Sequence, residues 1–243
     1  DKTHVRVNEK EISKQAFKSL LPSAEESPCG FFVSYGELKK LNPSLYVVQS
    51  LASALAVECY ASGAEYGLKM LDLCAAPGGK AVYLASLTGA DVTACDIHPH
   101  RVELIKSYAK NAGVKLKTIQ NDATVFAPIF ENAFDCVICD VPCSGVGVIK
   151  NKPDVMLNRK EEDIASLAEL QYKIISTAGR YVKPGGTLCY STCTVFKEEN
   201  ADVANKFLAE NPEFEKVTAG CEKAKADDDG YVRLYPQING CDG

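Results

Sequence analysis

Read for apolar and polar positions, the chain is irregular at first and then settles into a rhythm. Residues 1–45 mix a short strand at 5–7, a helical stretch at 11–20, a turn bearing Pro and Gly, and another apolar strand at 31–33. This is too little for an independent domain and reads as the end of an N-terminal module. Over 46–61, Val47, Val48, Leu51, Leu55 and Ala56 recur near helical spacing and predict a lead-in helix. Strand and helix then alternate, with strands at 68–74, 91–96, 116–119, 134–140 and 187–191 and helices at 79–87, 99–112 and 161–181. The last helix carries Ile164, Leu167, Ala168, Gln171, Ile174, Ile175 and Ala178 on one stripe. Pro184-Gly185-Gly186 is expected to turn the chain into the next strand, and a helix at 197–210 precedes a weak strand at 214–217. Several strands are nearly continuous apolar runs, the mark of a parallel sheet covered on both faces. The expected fold is therefore α/β, a Rossmann-like, doubly wound, mostly parallel sheet.

Composition narrows the function. The 243 residues carry 27 basic and 32 acidic side chains, a net charge of −5, so a nucleic-acid partner has to be held by a local basic patch. The apolar runs are too short to span a bilayer. The opening Asp-Lys-Thr-His-Val-Arg-Val has no signal-peptide pattern, and a start without Met suggests a fragment or a trimmed chain. Eleven cysteines, odd in number and mostly inside strand-like runs, favour a reducing cytoplasm over a secreted disulfide framework. Cys136 and Cys139 form a CxxC, but residues three apart on a strand point to opposite faces and cannot share a zinc. With three His in the chain, no metal site is expected.

In open parallel sheets, ligands bind beyond the carboxyl ends of the strands. After the first strand comes Cys74-Ala75-Ala76-Pro77-Gly78-Gly79-Lys80, whose small residues admit a ligand to the backbone at a helix N-terminus. Asp96 ends the second strand, 24 residues after Asp72, and suits ribose hydroxyls. Asn121-Asp122 follows the third strand, Asp140-Val141-Pro142-Cys143-Ser144-Gly145 closes the fourth, and Ser191-Thr192-Cys193-Thr194 closes the fifth. The first loop lacks the G-x-G-x-x-G of a dehydrogenase, and Lys80-Ala81 departs from the P-loop. The residues favour S-adenosylmethionine, against the plainer reading of a Gly-rich turn that merely connects two elements. Cys143 and Cys193 lie 50 residues apart, yet each follows a strand. If those strands are neighbours, about 4.8 Å apart, both thiols and Asp140 face one crevice. A disulfide between them is geometrically possible but disfavoured in a reducing compartment.

With these residues in view, the sequence resembles the Fmu/Sun (Nop/Sun-type) RNA cytosine-carbon-5 methyltransferases, most of all the bacterial small-subunit ribosomal RNA enzymes of the RsmB type. The likeness rests on Asp72-Leu-Cys-Ala-Ala-Pro-Gly-Gly-Lys80, Asp96 with Arg101, Asp122, Asp140-Val-Pro-Cys-Ser-Gly145, Pro153-Asp154, and Ser191-Thr-Cys193 followed by Glu198-Glu199-Asn200. These blocks run in family order over roughly residues 46–210, and Arg6-Val7-Asn8 and Tyr46-Val47-Val48-Gln49 resemble the family's N-terminal RNA-binding module and its junction. Where members usually show an Arg pair after Gly-Val-Ile, this chain has Lys150-Asn151. The resemblance implies a remnant of the RNA-binding module over 1–45 and an S-adenosylmethionine-dependent catalytic domain over 46–243. It implies that the chain is a catalytic-core fragment, or a protein trimmed at both ends.

The resemblance also implies roles. Cys193 would add to carbon 6 of a cytosine, Cys143 would help remove the carbon-5 proton, Asp140 would bind the ring-nitrogen edge and Lys80 would support it. Cys74, Ala75, Ala76, Pro77, Gly78, Gly79 and Lys80 would hold the methionine end of the cofactor, Asp96 the ribose, and Asp122 the adenine amino group, with Arg101 and Asp140 at the same pocket. DNA cytosine methyltransferases use the Pro-Cys thiol as nucleophile, which leaves the opposite assignment of the two cysteines open. The target base has to leave any stack, so looped or single-stranded RNA, ribosomal RNA first, is the expected partner of a monomer that needs neither membrane nor metal. Lys150, Lys152, Arg159 and Lys160 suit phosphate contacts, or equally a solvated charged segment with Glu161 and Glu162. Asp227-Asp228-Asp229 reads as an exposed turn, and His98 and His100 as packing or surface residues. Competing readings are the same chemistry on DNA and a non-catalytic assembly module that keeps the cofactor pocket.

Overall fold

The structure, a computed structural model, describes residues 2–149, 153, 155 and 161–242. Its centre is a five-stranded sheet of β5 (Lys69–Asp72), β6 (Asp91–Asp96), β7 (Lys117–Gln120), β8 (Phe134–Asp140) and β9 (Val182–Ser191), in the order β7-β6-β5-β8-β9. Every pairing is parallel, as buried runs such as Met70-Leu71-Asp72 and Val92–Asp96 require. The helices α4 (Gly79–Thr88), α5 (Pro99–Asn111), α6 (Glu161–Gly179) and α7 (Ala201–Glu210) connect or flank these strands. Two apolar clusters pack on the sheet, one around Leu71, Val137, Cys139, Ile174 and Tyr181, the other around Met70, Leu84, Val92, Ile105, Cys136 and Ile138. Cys136 and Cys139 fall in different clusters, the face alternation of a strand. The chain proceeds outward from β5 to β7, then returns to lay β8 on the other side of β5, and this reversal opens a crevice at the carboxyl ends of β5 and β8.

The N-terminal part forms its own antiparallel sheet of β1 (Lys2–Val7), β2 (Glu25–Ser27), β3 (Gly30–Ser34) and β4 (Tyr46–Val48), in the order β2-β3-β1-β4. The helix α1 (Lys14–Leu20) packs Phe17 against Phe31, Val5 and Val33, and the short α2 (Tyr35–Leu38) adds Leu38 to the same cluster. Here the expected helix over 46–61 is corrected: Tyr46–Val48 is a strand paired with Val5–Val7, and the helix proper, α3 (Leu51–Tyr60), begins after Ser50, whose Oγ accepts the Ser53 N–H at 3.2 Å. The apolar pair Val47-Val48 fits either period, and long-range pairing with β1 selects the strand.

Three further expectations change. Pro184-Gly185-Gly186 does not separate α6 from the strand: α6 stops at Gly179, Val182 already pairs with Phe134, and the segment is an irregularity inside β9 before Thr187 pairs with Cys136. Gly185 holds φ +78° there, and a Cβ on Gly186 would approach the Asp135 carbonyl to 2.8 Å. The helix expected at 197–210 is broken at Asn200 into a 3-10 turn (Lys197–Glu199) and α7. Residues 214–217 are not a strand; Phe214 packs edge-on against Phe207 instead. Two short strands, β10 (Gly220–Cys221) and β11 (Ala224–Lys225), and a single turn of helix, α8 (Pro236–Asn239), follow.

Candidate active site

The loop from β5 to α4 forms the floor of the crevice. Gly78 caps α4 at φ +112°, and a Cβ there would press on Ile105 Cα at 3.1 Å, so the turn needs glycine twice over. The Ala75 N–H donates to the Cys95 carbonyl at 2.8 Å, and Arg101 Nη2 donates to the Ala76 carbonyl at 3.3 Å, which pins the loop to β6 and α5. Arg101 Nε also lies 3.5 Å from Asp96, whose other oxygen accepts the His98 N–H at 3.0 Å. Asp122 accepts from the Thr124 N–H and hydroxyl, so its loop turns back at the end of β7. Asp72 is almost wholly buried, and burial followed by the Asp140 charge pushes its carboxyl up to about 7. Burial also pushes the Cys74 thiol up.

At the end of β8, Asp140 is held at both oxygens. Lys80 Nζ lies 2.7 Å from one, and Ser191 Oγ donates to the other at 2.8 Å. Ser191 spends its one proton on Asp140, so the buried Tyr60 hydroxyl donates to Ser191. Burial works against the Lys80 charge, but Asp140 and Asp72 outweigh it and keep the ammonium raised above its ordinary value.

Because β8 and β9 are neighbours in register, Asp140 opposite Ser191, the loops that follow them meet. Cys143 Sγ and Cys193 Sγ are 3.1 Å apart, and the Cys193 N–H donates to Cys143 Sγ at 3.2 Å. The sulfur contact first, then burial, raises Cys143. A fully buried carboxylate fastens this arrangement. Glu199 accepts from the Ser144 N–H (2.8 Å), the Ser144 hydroxyl (2.5 Å) and Gln171 Nε2 (2.9 Å), while Ser144 Oγ meets Thr194 Oγ1 at 2.9 Å. The residues following each cysteine are thereby tied to one anion. Gln171 also donates to the Pro142 carbonyl at 2.9 Å, and the Gly147 N–H donates to the Cys193 carbonyl at 3.0 Å.

The structure thus gathers Lys80, Asp140, Cys143 and Cys193 at one end of the crevice, and Asp96, Arg101 and Asp122 along the carboxyl ends of β6 and β7. Tyr60 and Gln171 were given no part in the site by the sequence, and Gln49, Ser191 and Glu199 were quoted as motif residues without a role. Gln171 did leave a signal, a glutamine in the middle of an apolar helical stripe. Lys150, Asn151, Lys152, Asp154, Arg159 and Lys160 lie outside the described residues. His98 and His100 stack on each other at the exposed start of α5. Asp227 and Asp229 are exposed and paired with Arg233. A larger hollow of about 420 Å3 near Lys10, Gly89 and Gly113 sits where α4 and α5 end, at the wrong pole of the helices for an anionic ligand.

The crevice can be set beside known proteins. A family described as 16S rRNA methyltransferase RsmB/F matches residues 64–243. The chain belongs to this family. A probable ribosomal RNA small subunit methyltransferase B of Bacillus subtilis (strain 168) is 41% identical over 184 residues, which cover 72% of this chain and 41% of that protein. Its counterpart in Klebsiella pneumoniae (strain 342) is 39% identical over 158 residues, covering 64% of this chain and 37% of that protein. The chain spans about two fifths of the length of these relatives. Among solved structures, PH0851 superposes with a TM-score of 0.89 at 29% identity, covering all of this chain and 58% of that one. NSun6 from Pyrococcus horikoshii with SFG superposes at 0.73 and 24% identity, covering 90% of this chain and 59% of that one. The RsmB/F chain therefore has the class I fold of S-adenosylmethionine-dependent methyltransferases. The described residues fit that cofactor: a glycine turn with no room for a Cβ, buried acids at the ends of β5 and β6, and a helix N-terminus meet in one crevice.

Proposed function

We propose that this RsmB/F chain methylates carbon 5 of a cytosine in RNA, ribosomal RNA first among substrates, through a reversible bond from Cys193 to the base. The observation that carries the reading is the pair of sulfurs 3.1 Å apart beside Asp140 and Lys80. Bound in the crevice, S-adenosylmethionine supplies a methyl group on an electron-poor sulfonium.

Carbon 5 of cytosine is a weak nucleophile until carbon 6 is attacked. The Cys193 thiolate adds to carbon 6, and the displaced electrons pass towards the ring nitrogens. Asp140, fixed by Lys80 and Ser191, hydrogen-bonds that edge and holds the adduct in place, and the Lys80 ammonium offsets the negative charge. With carbon 5 methylated, Cys143 removes its proton; the electron pair restores the double bond to carbon 6 and expels Cys193 as a thiolate. Cys193 first and burial second raise Cys143, and bonding Cys193 to carbon lifts the first of these.

Residues 1–45 belong, in this reading, to the RNA-facing module, with β4 completing its sheet. The chain works as a monomer on looped or single-stranded RNA in the cytoplasm, without a metal. Labelled methyl transfer from S-adenosylmethionine to ribosomal RNA, transfer RNA and DNA, followed by mapping of the modified base, tests the whole reading. Label on carbon 5 of an RNA cytosine is expected. Label on DNA alone, or on another atom, overturns it, and RNA binding without transfer would leave the assembly-module reading.

A further inference from the structure

One wall of the crevice comes from the junction between the N-terminal sheet and the first helix of the catalytic part. Val48, Gln49, Ser50 and Ser53, at the junction of β4 and α3, face Asp72, Ala75, Gly79, Lys80 and Asp140 across a cleft of about 180 Å3. Gln49 is 8% exposed. Its Oε1 accepts from Arg6 Nε at 2.5 Å, which fixes the amide and leaves Nε2 a buried donor with no partner. That nitrogen abuts the start of α4, 3.7 Å from where a Cβ on Gly79 would stand.

Behind it, Arg6 is 6% exposed and lies flat on the Tyr83 ring at 3.7 Å, with Nη2 likewise unpartnered. Among the described residues Arg6 makes no ion pair; the nearby Glu58 gives one oxygen to both Lys223 and the Tyr83 hydroxyl. One buried guanidinium nitrogen, Arg6 Nη2, and one buried amide nitrogen, Gln49 Nε2, each without an acceptor, suit this corner to an anion. The N-termini of α3 and α4 open on the same cleft and favour negative charge. The acids stand opposite, at Asp72 and Asp140. A cleft with donors on one wall and carboxylates on the other matches an amino-acid zwitterion, which is the methionine end of S-adenosylmethionine.

We propose that Gln49, oriented by Arg6, binds the α-carboxylate of S-adenosylmethionine, so that the N-terminal sheet builds part of the cofactor site. This rests on the placement of the cofactor in this crevice and not on which nucleic acid is methylated. The test is calorimetric binding of S-adenosylmethionine and of its decarboxylated analogue, which keeps the ammonium and sulfonium, to the full chain and to Gln49→Glu. Glutamate still accepts from Arg6 but repels a carboxylate.

The wild type is expected to prefer S-adenosylmethionine by at least about tenfold, the scale of one charge-assisted hydrogen bond. In Gln49→Glu that preference should fall by at least about tenfold, with the affinity for the analogue nearly unchanged. A ratio of the two dissociation constants that moves less than about threefold overturns the proposal, whatever the separate values. So does a wild type that binds both ligands equally, a result that needs no variant to fold. A wild type that binds neither overturns the placement of the cofactor as well.

Discussion

Asp140 illustrates how single side chains are set here: one oxygen is held by Lys80, the other by Ser191, and Tyr60 in turn holds Ser191. Asp140 and Lys80 were legible from their motifs, while Tyr60 was not, since an aromatic at the end of an apolar helix looks like packing until its partner on β9 is known. The two cysteines make the sharpest test at this scale. Cys193→Ala should abolish turnover, whereas Cys143→Ala should accumulate a covalent RNA–protein complex that survives denaturing gel electrophoresis; the reverse pattern would exchange their roles. Asp72 gives a pH prediction. Its carboxyl rises from 3.8 to about 7 on folding, so the folded state holds a proton that the unfolded chain gives up first. That contribution to stability is complete below about pH 4 and is lost as pH rises towards about 7. Urea denaturation of the cofactor-free protein across this window should show the decline, and Asp72→Asn should flatten it.

Between elements, the decisive contact is the one that binds the loop after β8 to the loop after β9 through Glu199. The carboxylate has no exposure, and its partners come from two separate stretches of chain, Ser144 and Gln171, with Thr194 joined to it through the Ser144 hydroxyl. Glu199→Ala strands the Ser144 N–H and one Gln171 amide hydrogen, and should cost about 2–6 kcal/mol at about 1–3 kcal/mol for each orphaned donor. Glu199→Gln keeps one oxygen for both donors and offers its NH2 to Ser144 Oγ, so it should cost within about 1 kcal/mol. Urea midpoints of the two variants check the contrast; equal losses would mean that charge, not hydrogen bonding, holds the loops. At this scale the strand–helix alternation was plain from the sequence, and the boundaries at 91–96 and 134–140 match the strands β6 and β8. The misread pieces, 46–48, 184–186 and 214–217, share a cause. Each is short enough to fit more than one local period, and a partner outside the piece chose among them: Arg6 for Val47, Phe134 and Cys136 for the strand on either side of 184–186, Phe207 for Phe214.

At the scale of the whole molecule, two sheets with separate apolar clusters meet at the cofactor crevice, where Arg6 of β1 reaches Gln49. Phe17 anchors the N-terminal cluster and is fully buried against Phe31. Phe17→Ala should cost about 3–5 kcal/mol of local stability. Amide exchange should then rise first in β1, β3 and β4, and affinity for S-adenosylmethionine should fall while the five-stranded sheet keeps its protection; uniform loss of protection would mean that the two sheets unfold as one. By itself the sequence determined the α/β class, the parallel sheet and the residues that follow each strand, because those depend on apolar period and on local turn chemistry. It could not decide that Cys143 lies against Cys193, that Glu199 ties both loops, or that Gln49 faces Gly79. Those contacts join positions 30 to 55 residues apart, and only the order of strands and the packing of the two sheets bring them together.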